Sequence, residues 1–293
     1  MILITGAAGK TGRAVIRALV ARGQAVRALV HRPESPGGDL RQVRPVKELG
    51  VQEVVAGDLH DPAAVEQAVR GSRAIYHICP NMHPGEAAIG QTVITAARSA
   101  GAQHFVYHSV LHPQVEAMPH HWLKMRVEEQ LFESGLSYTI LQPAAYMQNL
   151  LAHWDRIVRE GVYPVPYRVD TRLSMVDLDD VAEAAAAVLT EAGHAGATYE
   201  LAGAELMSQI EVASVLASCL DHPVRAETVE IGVWEQRARA SGLGDYQVET
   251  LIKMFRYYDR HDFWGNPRVL GWLLGRPPTT FAAFLERATC SRN

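Results

Sequence analysis

The chain has 293 residues, of which 48 % are apolar and 20 % charged, with a formal net charge of −4. That length buries a large core in one or two domains, and the slight acidic balance gives no reason to expect nucleic acid or an acidic membrane as partner. Cys79, Cys219 and Cys290 are odd in number and far apart, which argues against a disulfide framework and fits a reducing cytoplasm.

The first strand is expected over Met1–Thr5, leaving no room for a signal peptide, and no apolar run is long enough to cross a bilayer. The strand runs into Gly6-Ala-Ala-Gly9-Lys10-Thr11-Gly12, and a helix is expected over Thr11–Arg22. Strand, glycine turn and helix together place a pyrophosphate on a helix N-terminus, with Gly6, Gly9, Lys10, Thr11 and Gly12 as candidate cofactor contacts. The alternative is a turn that serves the fold alone. Gly9-Lys10-Thr11 also mimics the end of a nucleoside-triphosphate loop. That loop needs a glycine five positions before Gly9, and Ile4 stands there.

Further strands are expected over Ala25–Val30, Val51–Ala56, Ala74–Ile78, Phe105–Ser109 and Tyr138–Leu141, and helices over Pro62–Arg70, Glu86–Ser99 and His121–Ser134. This alternation predicts a Rossmann-type α/β fold, a doubly wound parallel sheet with ligands beyond the carboxyl ends of its strands. Residues 1–150 are the expected cofactor domain. Residues 151–293 are mostly a smaller substrate lobe, with about 173–202 returning to the first domain. In the second half, Leu173–Val176 and Thr198–Leu201 read as strands. Asp179–Thr190, Val212–Leu220, Val233–Ala240, Tyr246–Tyr258 and Thr280–Thr289 read as helices, and Pro33–Arg44 reads as a loop.

The residues just past each strand are the chemical candidates. The second strand ends in His31-Arg32, with no carboxylate before Glu34. An acidic residue there would select NAD, whereas a guanidinium suits a 2′-phosphate, so Arg32 favours NADPH over NADH. An ordinary surface arginine is the alternative. Asp58 and Leu59 follow the third strand and are candidates for the adenine, or Asp58 caps the next helix. Ile78 and Cys79 follow the fourth strand, where the backbone passes the cofactor ribose. Ser109 ends the fifth. His120 and Lys124 are one helical turn apart, so both can face one ligand, with Lys124 on the nicotinamide ribose. Ser109, His120 and Lys124 are the catalytic candidates. His104, His108 and His112 have helical spacing for a metal, but the segment reads as a strand, and no metal is expected.

The segments ITGAAGKTGRAV, VRALVHRP, VVAGDLHD, FVYHSV, HWLKMRVEEQLFESGLSYTILQPAAYMQN, MVDLDDVAEAAAAVL, TYELAGAELMS and LLGRPPTTFAAFL run along nearly the whole chain. In pattern and order the chain resembles the NmrA-like branch of the atypical short-chain dehydrogenases/reductases. The resemblance implies NAD(P)H as ligand. It puts Pro143, Ala144 and Ala145 at the nicotinamide amide, and Tyr146, Met147, Asn149 and Trp154 at the substrate. Three departures stand out. His120 replaces the tyrosine found four residues before the lysine in typical members of the wider superfamily, Ala8 replaces a turn threonine, and Gln142 replaces an arginine. Without the tyrosine, reduction of simple ketones is less expected than reduction of a quinone or polycyclic aromatic, whose oxyanion water can protonate. The expected function is therefore NAD(P)H-dependent reduction of such a substrate, including aromatic polyketide tailoring or oxygenation. The alternative is a non-catalytic NAD(P)-binding redox sensor, and a cofactor-using epimerase is a third class. The oligomeric state is left open.

Overall fold

A computed structural model describes residues 1–31 and 43–290. Arg32, and all but the last two residues of the expected loop 33–44, lie outside the described residues.

The elements of the first half follow in order: β1 (Ile2–Ile4), α1 (Lys10–Ala21), β2 (Val26–Val30), α2 (Val43–Lys47), β3 (Glu53–Ala56), α3 (Pro62–Val69), β4 (Ala74–His77), α4 (Glu86–Ser99), β5 (His104–His108), α5 (Pro119–Glu133) and β6 (Tyr138–Pro143). The second half holds α6 (Trp154–Glu160), β7 (Val162–Val165), β8 (Arg172–Leu173), α7 (Leu178–Thr190), β9 (Ala197–Leu201), β10 (Met207–Ser208), α8 (Gln209–Leu220), β11 (Arg225–Thr228), α9 (Ile231–Ala240), α10 (Asp245–Arg260), α11 (Pro267–Leu274) and α12 (Phe281–Cys290). A 3₁₀ turn, Met147–His153, precedes α6.

The sheet has seven strands in the order β3-β2-β1-β4-β5-β6-β9. From β3 to β6 every pairing is parallel. This is the Rossmann order, and the strand sequence reverses direction between β1 and β4, where such sheets open a ligand crevice. The register aligns the carboxyl ends: Ile4 lies opposite Tyr76, His77 opposite Tyr107, and His108 opposite Leu141. The residues just past these strands therefore share one rim.

Both faces of the sheet are buried, as helix-covered parallel sheets require. One face packs Leu3, Ile75, Phe105, Tyr107 and Ile140 against apolar positions of α3, α4 and α5, including Val65, Ile89, Val93, Val127 and Leu131. α1 buries Ala14, Val15, Ile16 and Leu19. Just past α1, Arg22 bonds Thr190 and Glu191 at the end of α7, so these two helix ends lie side by side.

The chain divides into two compact units. One comprises residues 1–114, 121–142 and 181–199. The other comprises 115–120, 143–180 and 200–293. Within the second unit β7 pairs with β11 in parallel and β8 with β10 antiparallel.

Several sequence expectations need correction here. The expected strand Leu173–Val176 is split: only Leu173 lies in a ladder, and Val176 instead bridges Tyr146. Val43 and Arg44, at the end of the expected loop, begin α2. β7 and β11 were not expected at all. Pro164 interrupts the first, RAET is too polar to read as a strand, and among the described residues each pairs only with the other.

Candidate active site

The first unit carries the glycine turn. Gly6 has φ +58, a left-handed conformation that costs a glycine little. A Cβ on Gly12 would overlap the Gly6 carbonyl and come within 2.8 Å of the Ala7 Cα. The third glycine is thus demanded by the close approach of helix to turn. α1 starts after Gly9 with no side-chain cap and no acidic residue in its first turn. Its first N–H groups and its dipole are therefore not neutralised by a side chain, the local condition for an anion site. Lys10 is exposed and Thr11 half-buried at this end.

Thr5 ties the turn to the next strand. Its hydroxyl donates to the Ile78 carbonyl at 3.0 Å and accepts the Ile78 N–H at 2.8 Å. That uses its one proton, so the His77 contact at 2.9 Å has the Nδ1–H donating to Thr5. Burial, and after it Lys124, lowers the His77 pKa to about 3, which keeps the ring neutral. Ile78 is held at the turn by these bonds, its Cβ lying 3.1 Å from the position a Gly6 side chain would take.

At the adenine end, Asp58 does not cap α3. Asp61 does, accepting from Ala63 N, while Asp58 takes the N–H of His60 at 2.9 Å. Leu59 packs against the sheet core and is half-buried.

Two buried carboxylates define the rim past β4 and β5. Glu86, the first residue of α4, is 1 % exposed and accepts from Lys124 Nζ at 2.7 Å and from the Tyr107 hydroxyl at 2.8 Å. Lys124 also donates to the His108 carbonyl at 3.3 Å and lies 5.5 Å from the Tyr107 ring centre. Burial, and then Glu86, pushes the Tyr107 hydroxyl well up, so it remains a donor. The Cys79 thiol beside them is raised by the same two causes, which argues against a nucleophilic role. The second carboxylate, Glu128, accepts from the Ser109 hydroxyl and from Gln142 Nε2 at 2.9 Å and 3.0 Å. Burial raises its pKa against those hydrogen bonds. Ser109 spends its only proton on Glu128, leaving its oxygen as an acceptor for any ligand.

Sequence reading missed Glu86, Tyr107, Glu128 and Gln142 as site groups. The signals were present: Glu86 opens a helix just after β4, Tyr107 lies two residues before Ser109 on the same strand face, and Glu128 follows Lys124 by one helical turn.

His120 and Lys124 both lie on α5, but the boundary between the units falls between His120 and His121. His120 is buried in the second unit's segment. His121 bonds the His112 carbonyl at 3.2 Å. His104 and His108 are on β5, where residues four apart are separated by about 13 Å. They cannot share a metal, and no cluster of three or more ligating side chains exists among the described residues. The described helices include none long and apolar enough to cross a membrane.

The second unit holds the other candidates. The Ala144 N–H bonds the Leu201 carbonyl at 3.0 Å, and the Val176 N–H bonds the Ala145 carbonyl at 2.8 Å. Pro143 and Ala144 are buried. Tyr146 and Trp154 are half-buried, Asn149 is exposed, and Met147 is only 1 % exposed.

The sequence profile of the NmrA-like family matches residues 1–281. The chain belongs to the NmrA-like family. Among its relatives, this NmrA-like chain is 29 % identical to an NAD(P)H azoreductase of Xenophilus azovorans, covering 98 % of this chain and 97 % of that one. It is 35 % identical to a (4-alkanoyl-5-oxo-2,5-dihydrofuran-3-yl)methyl phosphate reductase of Streptomyces griseus, over 96 % and 95 % of the two chains. The fold matches a crystal structure of an NADPH-dependent quinone oxidoreductase from Escherichia coli complexed with NADPH. The TM-score is 0.84 and the identity 27 %, covering 99 % of this chain and all of that one.

Proposed function

We propose that this chain is an NAD(P)H-dependent oxidoreductase, with NADPH favoured, that delivers hydride to a quinone or a similarly electron-poor conjugated acceptor. The observation that carries the reading is the uncapped, acid-free N-terminus of α1 behind the glycine turn, on the same sheet rim as Lys124. The relatives support it. Their names join an azo compound, a quinone and an unsaturated lactone ring, which share a conjugated bond that accepts hydride readily.

When bound, the reduced nicotinamide supplies the hydride. Gly6, Gly9, Lys10, Thr11 and Gly12 hold the pyrophosphate, Asp58 and Leu59 meet the adenine, and Ile78 and Cys79 pass the ribose. Lysine has three N–H donors. Lys124 spends two on Glu86 and His108 and keeps one for the nicotinamide ribose. Ser109 offers an acceptor oxygen. Pro143, Ala144 and Ala145 border the carboxamide, and Tyr146, Asn149 and Trp154 contact the substrate. His120 or water returns a proton to the reduced acceptor. A quinone asks little of that donor, because the aromatic oxyanion it forms is already stabilised. The finer reading is tailoring of polycyclic aromatic polyketides, including oxygenation, in the cytoplasm.

Calorimetry with NADPH, followed by NADPH oxidation with menadione, an azo dye, an unsaturated lactone or no acceptor, tests this. Micromolar binding with acceptor-dependent oxidation is the expected result. Tight binding with no turnover on any acceptor would favour the redox sensor, and absence of binding would end both readings.

A further inference from the structure

Glu86 takes no direct part in the scheme above, yet its burial needs a reason. An isolated carboxylate in a protein interior is costly, and a charge that is buried must be paired. Glu86 is paired with Lys124, the group to which the reading gives the nicotinamide-ribose contact. Its Oε1 takes both the Lys124 ammonium and the Tyr107 hydroxyl. It also sits in the first turn of α4, where the helix dipole favours a negative charge. The Lys124 side chain is itself only 15 % exposed, so it cannot lean on solvent for its remaining hydrogen bonds. Three rigid pieces converge on it: the end of β5 through the His108 carbonyl and the Tyr107 ring, the start of α4, and α5 from which it grows.

We propose that Glu86 is the positioning residue for Lys124, clamping the ammonium against the end of β5 so that its third N–H is aimed at the cofactor ribose. Tyr107 completes the clamp by donating its hydroxyl to the same carboxylate oxygen. This inference rests on the assignment of Lys124 to the ribose and deepens it. The cofactor thereby meets a lysine whose geometry is set before binding, so little side-chain freedom is lost at the moment of contact.

The test is a double-mutant cycle on the full chain with E86Q, E86D, K124Q and E86Q/K124Q. NADPH affinity is measured by calorimetry, single-turnover hydride transfer with menadione, and folding by thermal melt. E86Q is expected to slow hydride transfer by at least about tenfold while leaving the KM for menadione near wild type. E86D, which keeps the charge on a shorter stem, recovers part of the rate. In the K124Q background the further change E86Q alters the rate by less than about twofold, because Glu86 then has no ammonium to position. Equal losses from E86Q with and without Lys124 would overturn the proposal and make Glu86 a fold residue. So would K124Q losing activity while E86Q keeps it. If K124Q itself binds NADPH and turns over like wild type, the ribose assignment fails, and Glu86 falls with it. Should E86Q not fold, E86D carries the same cycle.

Discussion

Buried carboxylates do different work in the two units. In the second unit Asp177 accepts from Gln148 and Arg287, and Asp180 from Arg276, Thr279 N and the Thr279 hydroxyl. Both take an arginine roughly a hundred residues further along, so they act as long-range ties that pin the C-terminal segment. In the first unit Glu86 and Glu128 sit at the rim past β4 and β5, and their partners are a lysine, a tyrosine, a serine and a glutamine of the same unit. A carboxylate tied to a distant guanidinium closes the chain; in the proposed reading, one on a helix beside the rim arranges the neighbours that meet the cofactor. Burial alone does not distinguish the two roles, but the identity and exposure of the partner does.

The sharpest way to break that contrast is R287A. It strips the counter-charge from Asp177, which is fully buried, while the lost arginine was itself 49 % exposed. Removing one partner of a fully buried pair costs about 3–5 kcal/mol; with the guanidinium half-exposed and Asp177 keeping Gln148 and the Asp179 N–H, the expected loss is at most about 3 kcal/mol. Urea unfolding should show it, with NADPH affinity per folded molecule unchanged.

Acid comes next. Burial lowers both His77 and His108 to about 3, from an ordinary value of 6.5. Their neutral state adds stability that is fully present above pH 6.5 and is lost as pH falls towards 3. At pH 5 each histidine gives up about 2 kcal/mol, since one pKa unit corresponds to about 1.4 kcal/mol. Urea midpoints at pH 7 and pH 5 check this. A first unit that keeps its stability at pH 5 would remove the histidines from the account.

E128Q is a milder probe. Burial raises the Glu128 pKa, so the folded state holds that proton more firmly than the unfolded one. The native acid therefore loses stability as pH rises through the window above 4.5, and the amide does not. E128Q escapes that loss but turns one of the two oxygens that accept from Gln142 into a donor, so it should fall about 1 kcal/mol below wild type, a deficit smaller at pH 7 than at pH 4.5. Parallel melts at the two pH values read the sign. Smallest of all is R22A, which removes an exposed pair with Glu191. It should cost no more than about 0.5 kcal/mol and vanish in high salt.

Much of the first unit was legible because its strands and helices repeat with clean periods. β1, β4 and β5 each end within two residues of the expected place, and the glycine turn announced its own geometry through Gly6 and Gly12. What sequence could not show was pairing across distance. Ser109 was visible as a strand-end hydroxyl, but its bond to Glu128 joins β5 to α5, and Gln142 reaches the same carboxylate from β6. Glu86 and Lys124 are likewise 38 residues apart. The second unit was read less well. Its short strands β7, β8, β10 and β11 carry only two to four residues each, too few for a period to emerge.

The open N-terminus of α1 has a consequence outside catalysis. With no aspartate or glutamate of its own in that first turn, the native chain gains a missing counter-ion whenever a dinucleotide arrives. Binding to the folded state alone adds about 2.7 kcal/mol at a hundred times the dissociation constant. Resistance to heat and to proteases therefore rises and falls with the nucleotide supply, and a cell depleted of coenzyme would hold fewer copies of this protein.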